Sequence, residues 1–316
     1  MGSQLSESGI VRSSKPGGVR SSVVRIRSTK DFISREIKRI RQDPLALSGA
    51  IMLLILVLLA IFGPFFAPYD PWEPQYSETG ALRLTPPSAQ HWLGTDSNAR
   101  DILSQLLYGS RIAVGMSILA ASMIVFIGTL IGLTSGYFGG AIDAILMRIT
   151  DAAFVIPSIP FVAVLVALTR PSLFNIVFAI TFLYWRSSAR VVRGQVLSLK
   201  ERPFVKASRA SGASSFYIIR KHILPNVLPF VTFYAAIGVQ GAVIAEASVS
   251  FLGFGDPGLM SWGKMLQYAF AIGATRVAWW WVIPPGTMIS LLVLSVYLLR
   301  RGYEEVVNPR LIRGQR

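Results

Sequence analysis

Long runs without a single charged side chain organise this chain. They cover residues 44–69, 112–142, 152–169, 171–185, 222–245 and 277–299. About 20 apolar residues, rising 1.5 Å each, cross the roughly 30 Å hydrocarbon core of a bilayer. The six runs therefore predict six transmembrane helices in an all-α, polytopic membrane protein, because a lipid-exposed backbone must satisfy its own hydrogen bonds. The fourth run is short and borrows Trp185 and Arg186, whose guanidinium reaches toward the headgroups. Pro157 and Pro160 interrupt the third run, and Pro284 and Pro285 the sixth. Broken helices of this kind line cavities in some transporters, and they also occur as plain kinks.

Composition agrees with that pattern. Of 316 residues, 52% are hydrophobic and 15% charged, against about a quarter charged in soluble domains. The net charge of +15 would suit nucleic acid if it were spread over one face, but it is sorted by side. Segments 1–43, 186–222 and 300–316 hold 24 of the 31 Lys and Arg residues. Arg83, Arg100, Arg170, Lys264 and Arg276 are the basic residues of the opposite side. Basic loops stay cytoplasmic, so both termini are expected inside, as an even number of spans requires. The expected organisation is a cytoplasmic tail at 1–43, a first anchor at 44–69, an outer segment at 70–109, a five-helix core at 110–302 and a cytoplasmic tail at 303–316. The first apolar run starts too late and runs too long for a cleaved signal peptide, and reads as a retained anchor. Asp31–Gln42 is expected to form a basic amphipathic helix on the membrane surface. With no cysteine and only His91 and His222, thiolate metal sites and cysteine nucleophiles are excluded, and no metal site is expected.

The cytoplasmic loop at 190–225 carries the strongest local signal. Small residues fill Ala207–Ser215, and Gly212 sits where a first short helix must end in a left-handed turn. Ser214 or Ser215 then caps a second helix running to Pro225. Small side chains such as Ala207 let the backbone of the first helix lie deep in a partner's groove. On composition alone, an ordinary basic loop is the competing reading.

This loop resembles the signature loop of ABC-importer permeases, a Glu-Ala-Ala, three residues, Gly pattern followed by Ile-Leu-Pro. Lys206-Ala207-Ser208, Gly212 and Ile223-Leu224-Pro225 fall at the matching spacing. Lys206 stands where that family usually has Glu, and Ser208 replaces the second Ala. The segments His91–Tyr108, Gly136–Arg148 and Glu246–Gly255 are similar to the dipeptide/oligopeptide subclass, as are Trp262-Gly263 and Asn308–Leu311. Within it they look like the second of its paired permeases. The resemblance implies a type I ABC importer permease fold and an ATPase-coupling loop comprising Phe204, Lys206, Ala207, Ser208, Ala210, Gly212, Ala213, Ile223 and Pro225. It also implies a homologous permease partner, two ATPase subunits carrying the ATP and magnesium, and an extracytoplasmic substrate-binding protein. The chain itself is expected to bind no cofactor or nucleic acid and to have no catalytic residues. Peptides are the expected cargo and oligosaccharides the alternative.

Other chemistry is sparse. Glu246 ends a run of 24 uncharged residues (222–245) and either lines the path or outer gate, or hydrogen-bonds the Ser248–Gly253 turn. Gln240, the other candidate path residue, lies about 240° away around the helix. Arg148 and Asp151 are spaced to pair along one helix. Gly128, Gly132 and Gly136 form a small-residue stripe suited to close helix packing. Gly258–Met265 imitates a phosphate-binding loop, but Met265 stands where a magnesium-binding Ser or Thr is needed. His91, near Asp96 and Ser104, is the one grouping that resembles a hydrolytic site, and it reads better as structure. A secondary transporter would need inverted repeats and midplane charges, and neither is evident.

Overall fold

The computed structural model describes residues 40–307 apart from Thr79. The expected surface helix at Asp31–Gln42 lies mostly outside the described residues, of which 40–42 are helical. The motif Asn308–Leu311 lies outside them entirely.

Helix α1, Pro44–Phe62, opens with Pro44 in its first turn. The Asp43 carboxylate accepts from the amides of Leu45 (2.9 Å) and Ala46 (3.4 Å), supplying two partners that an N-terminus otherwise lacks. A connecting segment follows, with a short antiparallel pair, β1 Tyr76–Ser77 and β2 Gly80–Ala81. Helix α2, Ile102–Phe138, has 37 residues and is therefore about 55 Å long, more than the bilayer needs. Gly139 (φ +68°) and Gly140 (φ +58°) turn the chain into α3, Gly140–Val155. Helix α4, Ser158–Thr169, leaves α3 at 91° across Ile156-Pro157. Twelve residues span only about 18 Å, so the third apolar run is a broken element, as Pro157 foreshadows. Helix α5 is Leu173–Lys200, and α6 is Pro203–Ala210. The short α7, Ser215–Ile218, continues through a π-helical turn into α8, Leu224–Val249, and a second π turn ends at Phe254. Helices α9, Trp262–Ala271, and α10, Trp279–Val307, complete the described chain.

Four described helical segments are long and apolar enough to cross a membrane: Pro44–Phe66, Ile102–Phe138, Ser215–Phe254 and Trp279–Arg301. The bent α3–α4 pair makes a fifth if taken as one span. Helix α5 is long enough at 28 residues, but Arg186, Arg190, Arg193 and Lys200 crowd its second half.

Packing follows the glycines. A Cβ at Gly128 would lie 2.7 Å from the Trp185 carbonyl, at Gly132 2.7 Å from that of Ala189, and at Gly136 2.8 Å from Val196. Only hydrogen fits, so α2 and α5 touch backbone to backbone over three turns. Above this seam α2, α4, α5 and α8 share a core that includes Ile124, Val166, Ile180 and Ala242. A second core joins α1, α2, α9 and α10 around the fully buried Trp262 and Trp281.

Candidate functional site

The loop between α5 and α8 is built from local rules. Pro203 fixes the first turn of α6, where its missing N–H costs nothing. At the other end Gly212 takes φ +79°. The Ala213 amide donates to the Ser208 carbonyl (3.1 Å) and the Gly212 amide to that of Arg209 (3.0 Å), the paired bonds of a Schellman stop. Ser214 caps α7, its hydroxyl accepting from the Tyr217 amide at 3.3 Å. The Leu224 amide then reaches back five residues to the Ile219 carbonyl, a π spacing that precedes Pro225.

One side of this helix–turn–helix is rooted and the other is bare. Val205, Ile218 and Ile223 are buried against Val192 and Val196 of α5 and Leu133 of α2, with Phe204 and Ala213 packed at the edge. Ser208 and Pro225 are half-buried. Lys206, Ala207, Ala210 and Gly212 are exposed, and Phe216 is 72% exposed. The result is a stiff protrusion with small residues and an aromatic ring outward. Lys206 is not a lone cation: its ammonium lies 2.9 Å from the Glu201 carboxylate, and both side chains are well exposed. That hydrogen bond holds the Glu201 carboxyl below its usual pKa.

The loop is continuous with α5, and α5 grips the broken element. Arg186 donates to the carbonyls of Ala153 and Ile156 and, at 2.8 Å, to the Ser158 hydroxyl. These are the carbonyls that the break orphans. Arg190 pairs with Asp151 at 2.7 Å, and Arg193 forks onto both oxygens of Asp143 at 2.6 Å. The expected Arg148–Asp151 pair is therefore corrected: Asp151 takes Arg190 from the neighbouring helix. The sequence held a signal for this ladder, since Arg186, Arg190 and Arg193 recur at helical spacing on α5 and Asp143 and Asp151 recur on α3.

Glu246 is buried, and the Ser250 hydroxyl donates to it at 2.6 Å, the turn-bonding geometry of the two alternatives. Gln240 donates to the Val293 carbonyl of α10 at 3.0 Å. The two do not converge on one site.

The segment between α1 and α2 is a polar knot at the head of α2. Asp101 caps the helix, accepting from the Ser104 amide and hydroxyl at 2.8 Å, while the His91 ring sits 2.9 Å from its other oxygen. Asp96 accepts from the Asn98 and Arg100 amides and from the Gln105 side chain. Ser104 thus bonds the acid and not the imidazole, the wrong partner for an activated nucleophile. Lys264 of the loop-like Gly258–Met265 motif donates to the carbonyls of Asp256, Pro257 and Leu259. Burial pushes its pKa down, and its ammonium is spent on its own loop.

Comparisons with known proteins show which family the chain belongs to. Residues 128–313 match the family model described as binding-protein-dependent transport system inner membrane component. Residues 33–87 match the N-terminal transmembrane domain of oligopeptide transport permease C. The chain is 36% identical to the dipeptide transport system permease protein DppC of Bacillus subtilis, over 87% of this chain and 85% of that one. It is 36% identical to the oligopeptide transport system permease protein OppC of the same organism, over 86% and 88%. The glutathione transport system permease protein GsiD of Pectobacterium atrosepticum is 33% identical over 92% and 95%. A chain in a solved inward-facing structure of the MetNI methionine ABC transporter aligns with TM-score 0.46 at 24% identity, over 64% of this chain and 94% of that one. With a family model covering more than half its length and full-length relatives above 30% identity, the chain belongs to the inner-membrane permease components of binding-protein-dependent ABC importers.

Proposed function

We propose that this permease subunit forms, with a homologous permease, the path for di- and oligopeptides, and that the α6 protrusion carries the stroke of two separate ATPase subunits. The observation that carries this reading is the two-sided loop. Val205 and Ile218 anchor it to α5, while Ala207, Ala210 and Phe216 are bare. A rigid element gripping both moving parts is what transmitted motion requires. Arg186, Arg190 and Arg193 extend that grip from α5 to the α3–α4 break, so displacement of α6 reaches the broken helix through charged rungs. Peptide cargo is supported by the dipeptide, oligopeptide and glutathione permease names of the relatives; oligosaccharides are the second reading.

In this account α5 and the α3–α4 pair complete six spans, both termini are cytoplasmic, and an extracytoplasmic binding protein delivers substrate. ATP and magnesium sit on the ATPases, and this chain needs neither a cofactor nor a metal. The cysteine-free sequence makes the test direct. Ser77→Cys should react with an impermeant maleimide in intact cells. Ala207→Cys should react only after permeabilisation and should cross-link to an ATPase. Labelling of Ala207→Cys from outside overturns the orientation, and sidedness without any cross-link overturns the docking role.

A further inference from the structure

Helix α5 has 28 residues, about 42 Å at 1.5 Å each, and the coupling loop leaves its Lys200 end. At the other end the Ser172 hydroxyl accepts from the Asn175 amide at 3.2 Å, the local cap expected of a serine. The Asn175 side chain donates back to the carbonyls of Thr169 (2.9 Å) and Arg170 (3.0 Å), closing the turn between α4 and α5. The Leu173 amide reaches much further. It donates at 3.0 Å to a carboxylate oxygen of Asp256, 83 positions on. A carboxylate at the positive end of a helix, accepting an amide that the helix cannot satisfy itself, makes a charge-assisted bond.

Asp256 stands on a rigid support, the loop between α8 and α9. Its other carboxylate oxygen accepts from the Gly258 amide at 2.9 Å. The Lys264 ammonium donates to the carbonyls of Asp256 (3.1 Å), Pro257 (2.7 Å) and Leu259 (3.2 Å), one acceptor for each of its three protons. The base of the loop is wedged on both sides. The Trp262 indole donates to the Leu106 carbonyl of α2 at 3.0 Å, and a Cβ at Gly263 would stand 2.6 Å from the Ala247 carbonyl of α8. A cap made for helix stability alone needs only a neighbour in sequence, which Ser172 already is. Asp256 adds a polar bridge between the α4–α5 turn and the α8–α9 loop. We propose that Asp256 is a positioning residue for transport: it clasps the far end of α5 to the α8–α9 loop, so that a stroke received at α6 moves both together. The inference rests on the coupling role given to α6 and names where the motion arrives at the opposite end of the rod.

The test uses the reconstituted transporter with its ATPases and binding protein. Spin labels on Phe174→Cys and Pro257→Cys, exposed positions in a cysteine-free chain, report the spacing across the clasp. In the otherwise wild-type chain the distance distribution should be the same with and without trapping by ATP and vanadate. Asp256→Ala should broaden and shift it on trapping, and binding-protein-stimulated ATP hydrolysis should fall severalfold. Asp256→Asn keeps an oxygen for the Leu173 amide and should fall between the two, a comparison that stands if the alanine variant fails to assemble. A spacing that changes on trapping without any substitution of Asp256 overturns the clasp, as does full stimulation in Asp256→Ala. Stimulation lost in Asp256→Ala with the spacing kept overturns it too, because the acid would then act elsewhere than on α5. The coupling role of α6 fails on a different result: an Ala207→Cys chain that never cross-links to an ATPase while Asp256→Ala still loosens the clasp.

Discussion

At the scale of single residues, Lys206 carries a consequence for coupling. Its ammonium is already matched by Glu201 within the loop, and so exposed a pair contributes little to stability. Lys206→Glu should therefore leave the thermal midpoint nearly unchanged. It sets two carboxylates side by side at the root of α6, and stimulated ATP hydrolysis should fall severalfold as that root splays. The double exchange Glu201→Lys with Lys206→Glu rebuilds the pair with its sign reversed and should restore stimulation. Continued loss in the double variant would show that the ATPase reads the Lys206 charge itself. The conformation of Gly212 was legible in the sequence, because a left-handed stop depends on neighbours within a few residues. The partners of Lys206 and Asp151 were not. Lys206 meets Glu201 across the turn that Pro203 makes. Asp151 meets a guanidinium 39 positions away; helical spacing marks the two charged stripes but not that α3 and α5 face each other.

At the scale of elements, the glycine seam decides how α2 meets α5. Gly132→Val would drive a methyl into the Ala189 carbonyl 2.7 Å away, where backbone cannot yield. Overpacking of this kind costs about 1–3 kcal/mol, so the thermal midpoint of the detergent-solubilised chain should fall by several degrees. Gly115→Ala is the control. It sits on the same helix with nothing within 4 Å of a Cβ, and should hold or raise the midpoint through better helix propensity. Equal midpoints for Gly132→Val and wild type would contradict the seam. The stripe at Gly128, Gly132 and Gly136 was visible as a period of four, although which helix it meets was not. The α3–α4 break was half legible. Pro157 marked where the helix stops, but the 91° turn depends on Arg186 of α5 covering the freed carbonyls.

At the scale of the whole molecule, the apolar runs give the bundle its spans, and the charged rungs of α5 tie the spans to the loop. Hydropathy found α1, α2, α8 and α10 because each is apolar nearly all round. It found α4 and α5 only as short runs, since one is cut by proline and the other carries a basic ladder that pairs with α3. Those pairings, joined to the α6 anchor at Val205, make one connected path from the protrusion to the break. Gly212 is its hinge point. A left-handed backbone costs a non-glycine residue about 1–2 kcal/mol, and β-branching adds to that cost, so Gly212→Val should swing α6 away from its seat while the bundle inserts normally. The decisive measurement is binding-protein-stimulated ATP hydrolysis by the reconstituted transporter with Gly212→Val in this subunit. The coupling account predicts normal membrane insertion with stimulation lost, and full stimulation with full transport would contradict it.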